Sequence, residues 1–254
     1  MRTVNNVSSV GIIFRASDPS QVFLEVKDDG HPIALVRRQL CLIGGNWIGD
    51  SAKADKGPLD TFRREVEEEL TFDRPTRDTL ELRQLGQVAE SSVMAPTPRN
   101  AVSVSESDQA KLRALKDTVK ARAEFFAAGL NGLTKEAMDA VDPNNRRESF
   151  IGISFYWAVA LSEEEWADLT ALQEAHGNLS NESITLVTSL AEICDSGVKG
   201  AFGHEAMLQR FFRSRDLSRA EDLPMGHGLQ AEFIGNAPMT YAELLQQWNI
   251  LRHP

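Results

Sequence analysis

The stretch from Gly44 to Phe72, GGNWIGDSAKADKGPLDTFRREVEEELTF, constrains this chain more than any other. An apolar run enters it, a Gly-Gly pair turns it, a polar loop follows, and Gly57-Pro58 opens a helix. Pro58 suits the first helical position, where its missing N–H would have no intrahelical partner. Leu59, Phe62, Val66 and Leu70 then recur at helical spacing and make an apolar stripe. At about 100° per residue, Glu65, Glu68 and Glu69 share an adjacent face. The expectation is a helix that packs by one side and shows three carboxylates on another. Arg64 stands four residues before Glu68 and can pair with it.

Around that stretch the pattern is mixed α/β. Val10–Phe14 and Gln21–Lys27 are apolar, β-branched strand candidates, with a turn expected at Asp18-Pro19-Ser20 and another at Asp28-Asp29-Gly30. Pro32–Ile43 suggests two short strands around the polar bend Arg37-Arg38-Gln39, ending at Gly44-Gly45. Leu82–Val88 is a further strand candidate, and Ser91–Ser107 has the Ser, Pro and Asn content of a loop. Ala110–Ala128 is expected as a helix with Leu112, Leu115, Val119 and Phe126 on its apolar side, followed by a short helix near Lys135–Val141.

The block 91–149 therefore suggests a helical insertion into one domain spanning 1–254. Phe150–Leu161 is the strongest strand candidate. Ser162 with Glu165 makes a capping box for a helix that runs to His176 and stops at Gly177. A strand at Ser183–Val187 and a helix at Gly203–Phe212 follow. Residues 215–254 form a C-terminal extension, with a capping box of Thr240 and Glu243 opening a last helix over Tyr241–Leu251.

Composition narrows the function classes. The formal net charge is −10, which argues against broad binding to a nucleic-acid backbone. It leaves room for a small anionic substrate, because a bound divalent cation inverts the sign of a local site. The two cysteines, Cys41 and Cys194, make no CxxC pair, and their apolar surroundings suggest buried thiols. The first residues lack the apolar core of a signal peptide, and no run approaches the length of a membrane span. A soluble, cytoplasmic protein is expected.

Three carboxylates on a helix face offer hard oxygen ligands for Mg²⁺ or Mn²⁺. Alone, such a cluster is more often a solvated helix face. Its context points to chemistry. The element Arg64-Glu65-Val66-Glu67-Glu68-Glu69, entered through Gly-Pro and preceded by Gly-Gly after a strand, resembles the signature of the Nudix hydrolases. That signature is Gly-x5-Glu-x7-Arg-Glu-U-x-Glu-Glu-x-Gly-U, where U is apolar. Arg64, Glu65, Val66, Glu68, Glu69 and Phe72 match its second half in register. Thr71 replaces its last glycine, and counting back from Arg64 puts Lys56 at its first glutamate and Asp50 at its leading glycine.

The resemblance implies an α/β/α sandwich with a mixed sheet, covering about Val7–Glu90 and Phe150–Phe212. It implies metal binding by Glu65, Glu68 and Glu69, helped by the backbone carbonyl near Gly45, with Arg64 orienting a glutamate. It implies hydrolysis of a pyrophosphate bond in a nucleoside diphosphate derivative, with Glu65 or Glu182 as base. Dimers are common in the family, so a homodimer is one assembly it allows. A nucleotide-binding member with little or no turnover is the alternative, on account of Asp50, Lys56 and Thr71.

The resemblance also implies a further glutamate from a later loop or strand, for which Glu182, before the strand Ser183–Val187, is one candidate and Glu90 a second; Glu182 fits a surface loop position with Asn178 and Asn181 equally well. Further candidates come from the residues themselves. Trp47, just past Gly-Gly, could stack on a base or simply pack. Arg38, beside Arg37, could hold a phosphate or make a structural ion pair. His204 fits a cap or a packed position better than a catalytic one. The basic helix from Lys111 to Arg122 suits a solvated amphipathic helix or an oligomer contact better than a lid over an anion.

Overall fold

The computed structural model describes residues 3–4, 6–27, 31, 36–48, 55–72, 104–133, 135, 139, 150–180, 183–226, 232–235 and 239–250. They form a mixed α/β fold around one sheet of eight strands. Its centre is β2 (Asn6–Arg15) beside β7 (Phe150–Leu161), paired in parallel from Asn6 opposite Gly152 to Arg15 opposite Leu161. Twelve residues of β7 with almost no charge suit a strand covered on both faces.

The other edge of β2 is divided. Its first half pairs with β5 (Ile43–Asn46), and its second half with β3 (Asp18–Val26). β4 (Leu40–Cys41) and β8 (Ile184–Ser189) pair with β3, while β6 (Glu124–Leu133) joins β7 to β9 (Glu232–Gly235). β1 (Thr3–Val4) pairs separately with β10 (Asn249–Ile250).

Strand alternation assigns the two faces. Val10, Ile12, Phe14, Val22 and Leu24 bury one face against α4 (Leu190–Ser196) and α5 (His204–Arg213). Ile13, Phe23, Trp157 and Val159 bury the other against α1 (Pro58–Glu69), α2 (Glu106–Arg122) and α3 (Glu163–His176). α6 (Tyr241–Gln247) covers Val7, Ile153 and Phe155 on that second face. Phe62 and Val66 anchor α1 with no exposed area. A Cβ on Gly11 would stand 2.4 Å from the Phe62 ring, so glycine lets the helix approach β2. Truncating Phe62 to alanine would cost about 3–5 kcal/mol. Among the described residues, no helix is long and apolar enough to cross a membrane.

Several expectations are met: α1 starts at Pro58, β7 spans Phe150–Leu161, and α3 is capped by Ser162 and stopped by Gly177. Others need correction. Asp18–Ser20 is strand, and the turn lies at Ala16-Ser17. The chain does not leave the sheet at Gly44-Gly45; β5 runs through both glycines to Asn46. The helix expected over Ala110–Ala128 ends at Arg122, and Glu124–Leu133 is strand β6, so the block 91–149 is not purely helical.

The last helix stops at Gln247 rather than Leu251. Helix α4, with its own Ser189–Glu192 capping box, was not foreseen. The turn at 28–30, the strand at 82–88 and Glu90 lie outside the described residues, as does most of the helix expected at 135–141.

Candidate functional site

The site forms where α1 lies against β5. Thr61, Glu65 and Glu69 fall one turn apart, and all three are buried. The expectation of three displayed carboxylates is therefore corrected: Glu65 and Glu69 turn into the protein, and only Glu68 is largely exposed, at 42% of its side chain.

Arg64 organises the cluster. One of its terminal nitrogens donates to Glu65 at 2.7 Å and to Glu68 at 3.0 Å. The other donates to the Asn46 carbonyl at 2.9 Å and to Asp55 at 3.0 Å, and Nε donates to Asp55 at 3.1 Å. This is the planar fork that a guanidinium presents and an ammonium does not. Burial works against the Arg64 charge; the hydrogen bond to Asp55 and the charge of Glu65 overcome it and raise its pKa.

The two glycines have separate roles. A Cβ on Gly45 would stand 2.6–2.8 Å from the Glu65 carboxylate, so glycine clears the space that carboxylate occupies. Gly44 has φ of +129°, and a Cβ there would strike the Ser9 carbonyl at 2.3 Å. Its N–H donates to Glu69 at 2.8 Å. Burial lifts the Glu69 carboxyl well above the usual carboxylate range; the Glu25 charge adds, Lys27 opposes, and Glu65 adds again.

Glu25 and Lys27 extend the cluster from β3. Lys27 Nζ donates to Glu25 at 3.1 Å and to Ser183 Oγ at 2.9 Å. The second Glu25 oxygen is buried without a hydrogen-bond partner among the described residues. Burial acts to lower the Lys27 pKa, and the charges of Glu25, Cys41 and Glu69 with the Glu25 hydrogen bond together more than reverse it.

This arrangement bears on a cation. The donors are hard oxygens, the kind Mg²⁺ and Mn²⁺ take. The lifted Glu69 carboxyl and the orphaned Glu25 oxygen mark surplus negative charge in a buried place, which a cation would relieve. Among the described residues, no three His, Cys, Asp or Glu side chains already converge on one point as ligands.

Of the other residues singled out in the sequence, Trp47 stacks on Tyr241 with ring centroids 4.4 Å apart. Arg38 is exposed in the turn before β4, with φ of +58° and its backbone N–H on the Lys27 carbonyl. Glu182 lies outside the described residues; its neighbour Ser183 touches Lys27, and Thr71 N–H bonds the Leu179 carbonyl at the end of α1. His204 is buried, with Nδ1 accepting the Leu42 N–H at 3.2 Å, and burial pushes its pKa down to about 3. Cys41 is buried, whereas Cys194 is partly exposed.

The basic helix α2 packs on α1 and α3. Lys116 and Lys120 pair with Glu67 at 2.9 and 2.8 Å, and Arg122 pairs with Glu165 at 2.6 Å. Sequence reasoning missed Asp55, Glu25 and Lys27. Asp55 stood one residue before Lys56, and Glu25 and Lys27 broke the apolar face of a strand. No known protein-family model matches the chain, and no curated protein matches it.

Proposed function

We infer that the chain is a Nudix-type hydrolase that cleaves a pyrophosphate bond in a nucleoside diphosphate derivative with the help of a divalent cation. The observation that carries this reading is the Arg64 fork, which holds Glu65 over Gly45 and grips Asp55. It answers the departure at Lys56. Allowing one extra residue, the first half of the signature becomes Gly49-x5-Asp55, with Asp55 as the counter-ion of Arg64. Helical layers on both faces of a mixed sheet suit the sandwich of that family.

Glu65 and Glu69, with Glu68 and the Gly45 carbonyl, are the groups that would hold Mg²⁺ or Mn²⁺. When bound, the cation neutralises pyrophosphate charge and makes a water more acidic. The chain's own contribution is position and proton transfer. Arg64 fixes Glu65 by charge and by two parallel anchors, Asn46 and Asp55. Water oxygen attacks phosphorus, the bridging P–O bond breaks, and Glu65 or Glu182 takes the water proton.

The test is incubation with Mg²⁺ and a panel of nucleotide sugars, ADP-ribose, dinucleoside polyphosphates, NADH and nucleoside triphosphates. Release of phosphate-terminated products, abolished in Glu68→Gln, is the expected result. Tight nucleotide binding without turnover in the wild type would replace this reading with a binding module. Neither binding nor turnover would leave an acidic α/β protein with another role.

A further inference from the structure

Tyr241, at the start of α6, touches three segments that build the site. Its ring stacks on Trp47, just past the glycine pair, at 4.4 Å and 22°. Its backbone N–H donates to the Lys56 carbonyl at 3.2 Å, inside the segment that carries Asp55. Its hydroxyl lies 2.5 Å from Thr61 Oγ1 on α1. Tyr241 is 3% exposed and Thr61 is fully buried.

The protons in this chain can be assigned by counting. Thr61 has one hydroxyl hydrogen, and it goes to Asp55 at 3.0 Å. Thr61 Oγ1 can then only accept from Tyr241, so the tyrosine donates. Asp55 is an acceptor whose Oδ2 receives both Thr61 Oγ1 and the Arg64 Nη2 and Nε donors. The order is Tyr241 to Thr61 to Asp55, which Arg64 grips while it holds Glu65. Every donor points toward the carboxylate, and such chains reinforce one another in a buried setting.

We propose that Tyr241 is a positioning residue: through Thr61 it sets where Asp55 stands, and so where Arg64 holds Glu65. The C-terminal helix is thereby part of the site machinery. The kinetic consequence rests on the hydrolase reading; the geometric one does not.

Two measurements test it. In wild-type protein, nuclear magnetic resonance gives the exchange rate of the Arg64 Nε–H with water, a proton that points at Asp55. Tyr241→Phe keeps the ring stack and the backbone bond and removes only the hydroxyl. Exchange at Arg64 Nε is expected to quicken by about tenfold or more. On the substrate that wild type cleaves, kcat is expected to fall about 10- to 100-fold with little change in KM, as when a residue behind a ligand is lost.

Thr61 supplies the second variant pair. Thr61→Val keeps the shape and loses the relay, and should behave as Tyr241→Phe does. Thr61→Ser loses a buried methyl but keeps the hydroxyl, and should be less stable yet keep kcat and slow Arg64 exchange. The double variant Tyr241→Phe, Thr61→Val should be no slower than either single one, because both cut one chain. Arg64 exchange at the wild-type rate in Tyr241→Phe and Thr61→Val would overturn the proposal. If wild type turns over nothing, the hydrolase reading falls, and the exchange rates still decide the role of Tyr241.

Discussion

Two buried carboxylates, Glu69 on α1 and Glu205 on α5, face the same sheet from opposite sides, and each accepts a glycine backbone N–H from outside its helix. Glu69 takes Gly44 N–H at 2.8 Å, and Glu205 takes Gly226 N–H at 3.1 Å. The rest differs. Glu69 belongs to a cluster with Glu25, Lys27, Glu65 and Arg64. Glu205 sits between Gly200 and Gly226, where an added Cβ would come within 2.5 and 3.0 Å of its carboxylate oxygens. Its second oxygen has no partner among the described residues.

Burial pushes the Glu205 carboxyl up to about 7, against hydrogen bonds from its own N–H and from Gly226. A network of ions depends on where each partner stands. An isolated buried acid depends on pH. Changes on the α1 side should therefore act through geometry, and changes on the α5 side through protons.

The largest effect is expected at Arg64. Arg64→Ala leaves Asp55 and Glu65 without the guanidinium, and removing one partner of a buried pair costs about 3–5 kcal/mol. Thermal unfolding should show that loss, and turnover should disappear. Arg64→Lys keeps the charge without the fork, so it should recover much of the stability and little of the turnover. Equal recovery of both would mean that charge alone organises the α1 side.

What the sequence made legible follows the strength of local signals. Helix α1 was readable because Phe62, Val66 and Leu70 keep helical period behind Gly57-Pro58, and α3 because its cap and its glycine stop are both local. Strand β6 was not, because Phe126 lies seven residues past Val119 and continues the apolar period of α2. Only pairing with β7, from Glu124 opposite Ala158 onward, turns that segment into strand.

That Arg64, Glu65 and Glu69 share one stretch of helix was readable from their spacing, but not the inward turn of two carboxylates, of which Glu65 depends on the space Gly45 leaves. Asp55 escaped because counting back from Arg64 lands on its neighbour Lys56. Glu25 and Lys27 escaped because a buried ion pair on a strand follows no helical or motif spacing.

The adjacent glycines sharpen the comparison within the α1 side. Gly44→Ala forces a Cβ against the Ser9 carbonyl at a φ that favours glycine, and should cost about 2–4 kcal/mol. In Gly45→Ala the nearest atoms to the new Cβ belong to the end of the Glu65 side chain. That carboxylate can move, so the stability loss should stay under about 1 kcal/mol while turnover falls about 10- to 100-fold. Chemical denaturation and kcat, measured on both variants, separate a glycine the sheet needs from one the carboxylate needs. Loss of fold in Gly45→Ala would show that Glu65 cannot be displaced and that the site is part of the core.

The smallest effect on turnover belongs to Glu205, and the sign of its effect on stability can be worked out. The unfolded carboxyl releases its proton near 4.5 and the folded one near 7. Between these values the native state binds more protons, so stability falls as pH rises, by up to about 3 kcal/mol. The neighbouring His204 works the other way. Unfolded, it takes a proton near 6.5; folded, it waits until about 3, so stability rises with pH across that window. The two slopes cancel between about pH 4.5 and 6.5.

Glu205→Gln removes one of them and keeps an oxygen for the Gly226 N–H. Against wild type it should lose about 1–2 kcal/mol at pH 4, where the unpaired amide acts alone, and gain about 1–2 kcal/mol at pH 8, where relief of the buried charge outweighs it. Turnover should not change, because no contact links Glu205 to Arg64 among the described residues. Denaturation curves at both pH values decide it. An equal gain at pH 4 and pH 8 would mean that Glu205 is relieved of strain rather than of charge, and would remove the distinction between the two helices.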